Sequence, residues 1–99
     1  MDKNYGGVIW TNHALNRLNE RNIKQGDAWS VWKRPEKTRY SNIKGGWVYE
    51  RTYGNQTIEV VSKEKEKGQW VILSVWSKPA RFKKTKDSLI NKIIKIFRG

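Results

Sequence analysis

The sequence predicts an α+β fold: two N-terminal helices packed on one face of a three- to four-stranded antiparallel sheet, followed by a C-terminal amphipathic helix. Three observations predict it. Apolar residues recur at helical spacing between Thr11 and Arg34, they alternate with polar residues among β-branched and aromatic side chains between Thr38 and Lys78, and a second helical stripe returns in a basic segment after Pro79. The 99 residues suit one α+β body over residues 1–80 with a tail over 81–99.

The first helix is expected from Thr11 to Asn22, where Ala14, Leu15 and Leu18 form the apolar side and Thr11 or Asn12 is placed to cap. A second, shorter helix runs from Asp27 to Arg34 with Ala28, Trp29, Val31 and Trp32 as its apolar residues. Pro35 ends it, because the residue before proline avoids helical backbone angles.

Trp47–Tyr53, Thr57–Lys63 and Gln69–Lys78 read as three antiparallel strands, and Thr38–Ser41 adds a short edge strand. Gly54 and Asn55 make a tight hairpin turn between the first two, and Lys65, Glu66, Lys67 and Gly68 turn the chain into the third. Ile58 and Val60 alternate with Thr57 and Glu59, while Val71, Leu73 and Val75 alternate with Trp70, Ile72, Ser74 and Trp76. A period of two gives the sheet one face against the helices and a second face of different use. Depending on register, that second face combines tryptophans with Glu59, Ser74 and Arg51, a mixture that suits a shallow cleft better than plain solvent exposure.

In the tail, Arg81, Lys83, Lys84, Lys86, Lys92, Lys95 and Arg98 stand against Asp87 alone, which is half of the net charge. Leu89, Ile90, Ile93, Ile94, Ile96 and Phe97 fall within a stripe of about 160° at helical pitch. The apolar side of such a helix needs a surface: the body, a second copy, a partner protein or an anionic bilayer.

A net charge of +12, from 21 Lys and Arg against 9 Asp and Glu, marks a polyanion as partner, nucleic acid ahead of an anionic membrane. Six Trp and four Tyr argue for an ordered chain despite a mean hydropathy of -0.87. With no cysteine, disulfides, thiolate metal sites and cysteine nucleophiles are excluded, and neither a metal nor a cofactor is expected. The N-terminus lacks a signal-peptide pattern and no run approaches the ~20 apolar residues of a membrane span, so cytoplasmic residence is the expectation.

His13, the single histidine, is followed by Arg17, Glu20, Arg21 and Lys24, all within about 100° of one another on the first helix and away from Leu15 and Leu18. RNA cleavage without a metal asks for such a set: a base for the 2′-OH proton, an acid for the leaving oxygen, and cations for the charge at phosphorus. His13, Arg17 and Arg21 are therefore candidate catalytic residues, joined from the sheet by Glu59. Lys24, Arg39, Tyr49, Arg51, Ser74, Trp76 and Lys78 are candidates for RNA contacts. A plainer alternative pairs the helix charges locally, places Trp29, Trp32, Trp47, Trp70 and Trp76 in the core, and pairs Glu50 and Glu59 with Arg51 across strands.

The stretch from Trp10 to Ile23, W-T-N-H-A-L-N-R-L-N-E-R-N-I, resembles the opening helix of the bacterial domain of unknown function 4258 family, whose pattern runs roughly T-x-H-A-x-x-R-x-x-x-R-G-I. The likeness continues through Asp27, Val31 and Pro35, the T-R-Y of Thr38 to Tyr40, and the hairpin Y-G-N-Q-T-I-E-V-V of Tyr53 to Val61, and covers about residues 9–78. That family is similar to the superfamily of barnase, EndoU, colicin and RelE-type ribonucleases, in which helices cover one face of an antiparallel sheet and the opposite face is the RNA cleft. The resemblance implies a metal-independent endoribonuclease acting on RNA, a toxin in many members, with a cognate antitoxin or immunity protein as partner. It places the family pattern on His13, Arg17 and Arg21. Asn22 stands where the family has glycine, and residues 81–99 lie outside the likeness. Two further readings stay open on the residues alone: an RNA-binding module without catalysis, and a protein held at a membrane surface by its tail.

Overall fold

The computed structural model describes residues 1–79, so the expected C-terminal helix and the division of the chain at residue 80 lie outside the described residues. Within them the protein is α+β, with two helices on one face of a sheet, but the sheet has five strands and is mixed, where three or four antiparallel strands were expected. After a single 3₁₀ turn at Tyr5–Gly7, the elements are β1 (Ile9–Trp10), α1 (Asn12–Glu20), α2 (Gln25–Lys33), β2 (Lys37–Ser41), β3 (Gly46–Tyr53), β4 (Gln56–Glu66) and β5 (Gln69–Pro79). The strand order is β1-β5-β4-β3-β2. β2 to β5 form an antiparallel meander, and β1 pairs in parallel with β5, Ile9 beside Val71 and Trp10 beside Ile72. Two residues are too few to show an alternation, which is why β1 leaves no mark on the sequence pattern.

α1 is shorter than the expected Thr11–Asn22 because the residues at both ends act as caps. Thr11 has extended backbone angles and its Oγ1 accepts the N–H of Ala14 at 3.0 Å. At the other end Asn22, with φ 56°, is the one non-glycine residue of positive φ among the described residues. The N–H of Asn22 donates to Asn19 O at 3.3 Å and that of Ile23 to Leu18 O at 2.9 Å, and Leu18 and Ile23 are both buried in the core. This is a Schellman ending, with the hydrophobic contact that usually accompanies it. α2 starts at Gln25, with Lys24 as its N-cap residue, two positions earlier than expected.

The helices cover the sheet face that carries Tyr49, Ile58, Val60, Ile72 and Val75; Ala14, Leu18, Ala28 and Val31 fill the layer between, and Trp10 is fully buried. β3, and β4 as far as Glu64, keep strict alternation; beyond Glu64, Lys65 is an extra residue against β5. Gly54, with φ 60°, takes the first place of a two-residue turn, which sets Tyr53 opposite Gln56 and hence Glu50 opposite Glu59. β5 does not keep it. Val61 pairs with Ser74 and Ser62 with Ile72, leaving Leu73 as an extra residue in a β-bulge. The bulge shifts the phase of the strand, so Trp70 and Ile72 lie on the helix side together with Val75, while Ser74 and Trp76 point to the other face. Uninterrupted alternation, the expectation from sequence, would have put all four of Trp70, Ile72, Ser74 and Trp76 on one face.

Because glycine takes left-handed backbone angles without strain, Asn22→Gly should raise stability in urea by about 0.5–1 kcal/mol and Asn22→Ala should lower it by about 1 kcal/mol. Equal unfolding midpoints for the two variants would show that the left-handed residue is not what holds the end of α1.

Candidate active site and nucleic-acid interface

The face of the sheet away from the helices is open. Strand register lays Lys37, Glu50, Glu59 and Trp76 in one row across it, and Arg39, Val48, Val61 and Ser74 in the next. Val48 and Val61 are buried without belonging to the helix-side core, and they make an apolar floor beside the charged row.

Glu59, on the central strand, is 5% exposed. Its carboxylate accepts from Lys78 Nζ at 3.1 Å and stands 3.9 Å from Arg39 Nη2, while Arg39 Nη1 donates to Glu50 at 3.3 Å. Two carboxylates directly opposite on adjacent strands repel. Arg39 lies between them and offsets that repulsion, and a carboxylate as buried as Glu59 is tolerated only because it is paired.

α1 runs along β5 with its polar edge over the open face. Thr11 fixes its start: the backbone N–H donates to Ile72 O at 3.1 Å and Oγ1 donates to Leu73 O at 3.1 Å. Arg21 fixes its end, with Nη1 donating to Ser77 O at 3.4 Å. The Arg21 guanidinium lies over the Trp76 indole, 3.2 Å from the ring centre, and that of Arg17 approaches the same ring at 5.7 Å. Arg17 also pairs with Glu20 at 3.0 Å. Arg21 has no carboxylate partner among the described residues. Its charge is held by an aromatic face and stays available to an anion.

His13 lies two residues beyond Thr11. With Lys44, Val61, Leu73 and Ser74 it lines an open depression of about 300 Å³. Its ring has no hydrogen-bond partner among the described residues. A second depression, of about 470 Å³, opens beside Arg21, Ser77 and Lys78 at the other end of α1.

Among the sequence-derived candidates, His13, Arg17, Arg21, Glu59, Arg39, Ser74, Trp76 and Lys78 come together on or at the rim of this face. Three others do not. Tyr49 is on the helix side, packed on the core with its ring 6.4 Å from that of Trp32. Arg51 has the same parity: opposite Ile58, it donates Nη1 to Arg34 O at 2.7 Å and pairs with neither Glu50 nor Glu59. Lys24 is the exposed N-cap residue of α2. Three charged residues join the face that were not candidates for it, Lys37 among them through the pairing of β2 with β3. Glu50 is readable from the two-residue turn, which sets it opposite Glu59, whereas Lys44 reaches the depression beside His13 only through the folding of the β2–β3 turn and no sequence spacing announces it. No group of three His, Cys, Asp or Glu gathers to hold a metal ion among the described residues, and no helix there is long and apolar enough to cross a membrane.

Comparison of the chain with family models, with curated proteins and with solved structures finds no match in any of the three.

In a double-mutant cycle on unfolding, Arg21→Gln and Trp76→Leu are expected to couple by about 1 kcal/mol, the size of a partly desolvated cation–π contact. Additive losses would mean that the stack contributes nothing to holding Arg21.

Proposed function

We propose that the protein is an endoribonuclease that cleaves RNA by attack of a 2′-OH on the adjacent phosphate, with the open sheet face as its cleft. The observation that supports this best is the convergence on one face of a buried carboxylate, Glu59, a histidine, His13, and cations from separate elements: Arg17 and Arg21 from the α1 region, Arg39 from β2 and Lys78 from β5. In this reading Glu59 accepts the proton of the 2′-OH as the O2′–P bond forms. His13 gives a proton to the 5′ oxygen as the P–O5′ bond breaks. The products are a 2′,3′-cyclic phosphate and a 5′-hydroxyl. Arg39, Lys78 and Arg21 stabilise the charge that builds on the phosphorus oxygens.

Glu59 and Val61 are same-face neighbours about 7 Å apart along β4, and His13 shares its depression with Val61, which places the proposed base and acid on neighbouring parts of one face. The net charge of +12 adds long-range attraction for the polyanion, and the family resemblance points the same way. A second reading, RNA binding without cleavage, is favoured by the unpartnered His13 ring, since no neighbour fixes its tautomer or direction.

The purified protein should cut total RNA in the presence of EDTA and leave cyclic phosphate ends. His13→Ala and Glu59→Gln should each slow cleavage by about 10²–10⁴-fold while RNA affinity is retained. Near-UV circular dichroism separates loss of a catalytic group from loss of the fold, which matters for Glu59 because Lys78 and Arg39 depend on it. Binding without cleavage by the parent protein selects the second reading; absence of any salt-sensitive binding to RNA defeats both.

A further inference from the structure

β2 is a free edge of the sheet. β3 pairs with one side of it and no strand among the described residues with the other, and Lys37, Thr38, Arg39 and Tyr40 are all exposed. The side chains alternate in kind as well as in direction. Lys37 and Arg39 stand on the open face, beside Glu50 and Val48, whereas Thr38 and Tyr40 stand on the helix side, beside Tyr49 and Trp47. Tyr40 and Trp47 meet edge to face at 5.4 Å and are 55% and 41% exposed, and Ile43 in the following turn is 97% exposed. The helices leave this aromatic corner uncovered. An exposed strand edge flanked by large apolar groups is a template for another strand.

We propose that β2 docks an extended segment of an acidic partner protein as a further strand, one in which Asp or Glu alternates with large apolar residues at a period of two. Charge separates this occupant from the others. A second copy paired through β2 would set the Lys37 and Arg39 face of one chain against the same face of the other, between molecules of +12 each. The chain's own residues 81–99 bring seven Lys and Arg against one Asp and are repelled by the same pair. An acidic strand meets it with opposite charge. A nucleic acid would use only one side of the edge, because the cations and the aromatic corner lie on opposite faces of the sheet. A β-strand reaches both at once, since its successive side chains point to opposite faces. The backbone ladder supplies affinity, the alternation supplies specificity, and the Tyr40–Trp47 corner receives an apolar anchor.

The full chain is titrated with two short synthetic peptides of one composition, one alternating Glu with Leu and Val, the other carrying the same residues in an acidic block and an apolar block. The alternating peptide should bind at least about tenfold more tightly than the block peptide and should slow amide exchange across residues 37–41. Lys37→Glu should weaken it by about tenfold, as an attractive cross-strand pair becomes repulsive, and Lys37→Arg should restore it. Equal binding of the two peptides, or binding that leaves the β2 amides unprotected, overturns the proposal. So does concentration-dependent dimerisation that Tyr40→Asp abolishes, which would assign the edge to a second copy, and so does loss of RNA affinity in the same variant, which would assign it to nucleic acid.

Discussion

One hydroxyl ties the helix register to the strand register. Thr11 Oγ1 accepts the N–H of Ala14, which starts α1, and donates to Leu73 O, the carbonyl of the residue that the bulge adds to β5. The bulge takes Leu73 out of the ladder with β4 and gives its carbonyl to the helix cap. From that point the rest of the open face follows. His13 is two residues along the chain and falls beside Ser74; Arg17 and Arg21 follow at one-turn intervals and fall along β5. The same extra residue turns Trp76 outward to meet them. A helix pinned elsewhere on β5, or a strand without the bulge, would leave the arginines and the indole on different sides of the sheet.

Charge on this face is arranged in two zones. In the centre, Glu50 and Glu59 are matched by Arg39 and Lys78, so the part of the site least exposed to water is close to neutral and held by ion pairs. The unmatched cations, Arg21, Lys37 and Lys44, stand at its edges. Buried charges need partners to be tolerated at all, whereas charges at a rim keep their hydration and act at a distance within the screening length of about 8–10 Å. Long-range positive charge and the organisation of the centre are thus carried by different residues.

What the sequence made readable follows from how local each feature is. Both helices are visible because a single chain segment carries the whole period, and Thr11 is readable as a cap of the first; the ends shift by a residue or two because Thr11, Asn22 and Lys24 stand just outside the helical turns. The pairing of β3 with β4 is visible through Gly54 and Asn55, and it carries Glu50 and Glu59 with it. β1 is not, since Ile9 and Trp10 acquire their strand character only from Val71 and Ile72, about sixty residues away. The Leu73 bulge is hidden for the same reason: nothing in V-I-L-S-V marks the extra residue, and its acceptance depends on Thr11. His13, Arg17 and Arg21 were legible as a group from one helix face. Tyr49 and Arg51 follow from parity once the hairpin register is known, and that parity sends them to the helix side. Lys44 was beyond reach, because turn geometry alone brings it near His13.

The six tryptophans show how differently one residue type is finished by its surroundings. Trp10, fully buried in β1, and Trp29, half-buried on α2, donate their indole N–H groups to Tyr5 O and Gly6 O, so the N-terminal turn is tied by one indole to the sheet and by the other to a helix. Trp32 and Trp70 pack on each other beside the core. Trp76 is exposed at its edge, but its face is already covered by Arg21, and the electrostatic appetite of that ring is met within the chain. Trp47 differs from all of these. Its one aromatic neighbour, Tyr40, is more exposed than itself and meets it only edge to face. The centre of the open face is therefore largely finished within the chain, with Arg21 stacked on Trp76 and Arg39 and Lys78 paired. The β2 corner is not, and an apolar surface left unfinished beside a free strand edge lowers its free energy only when something else supplies the missing strand.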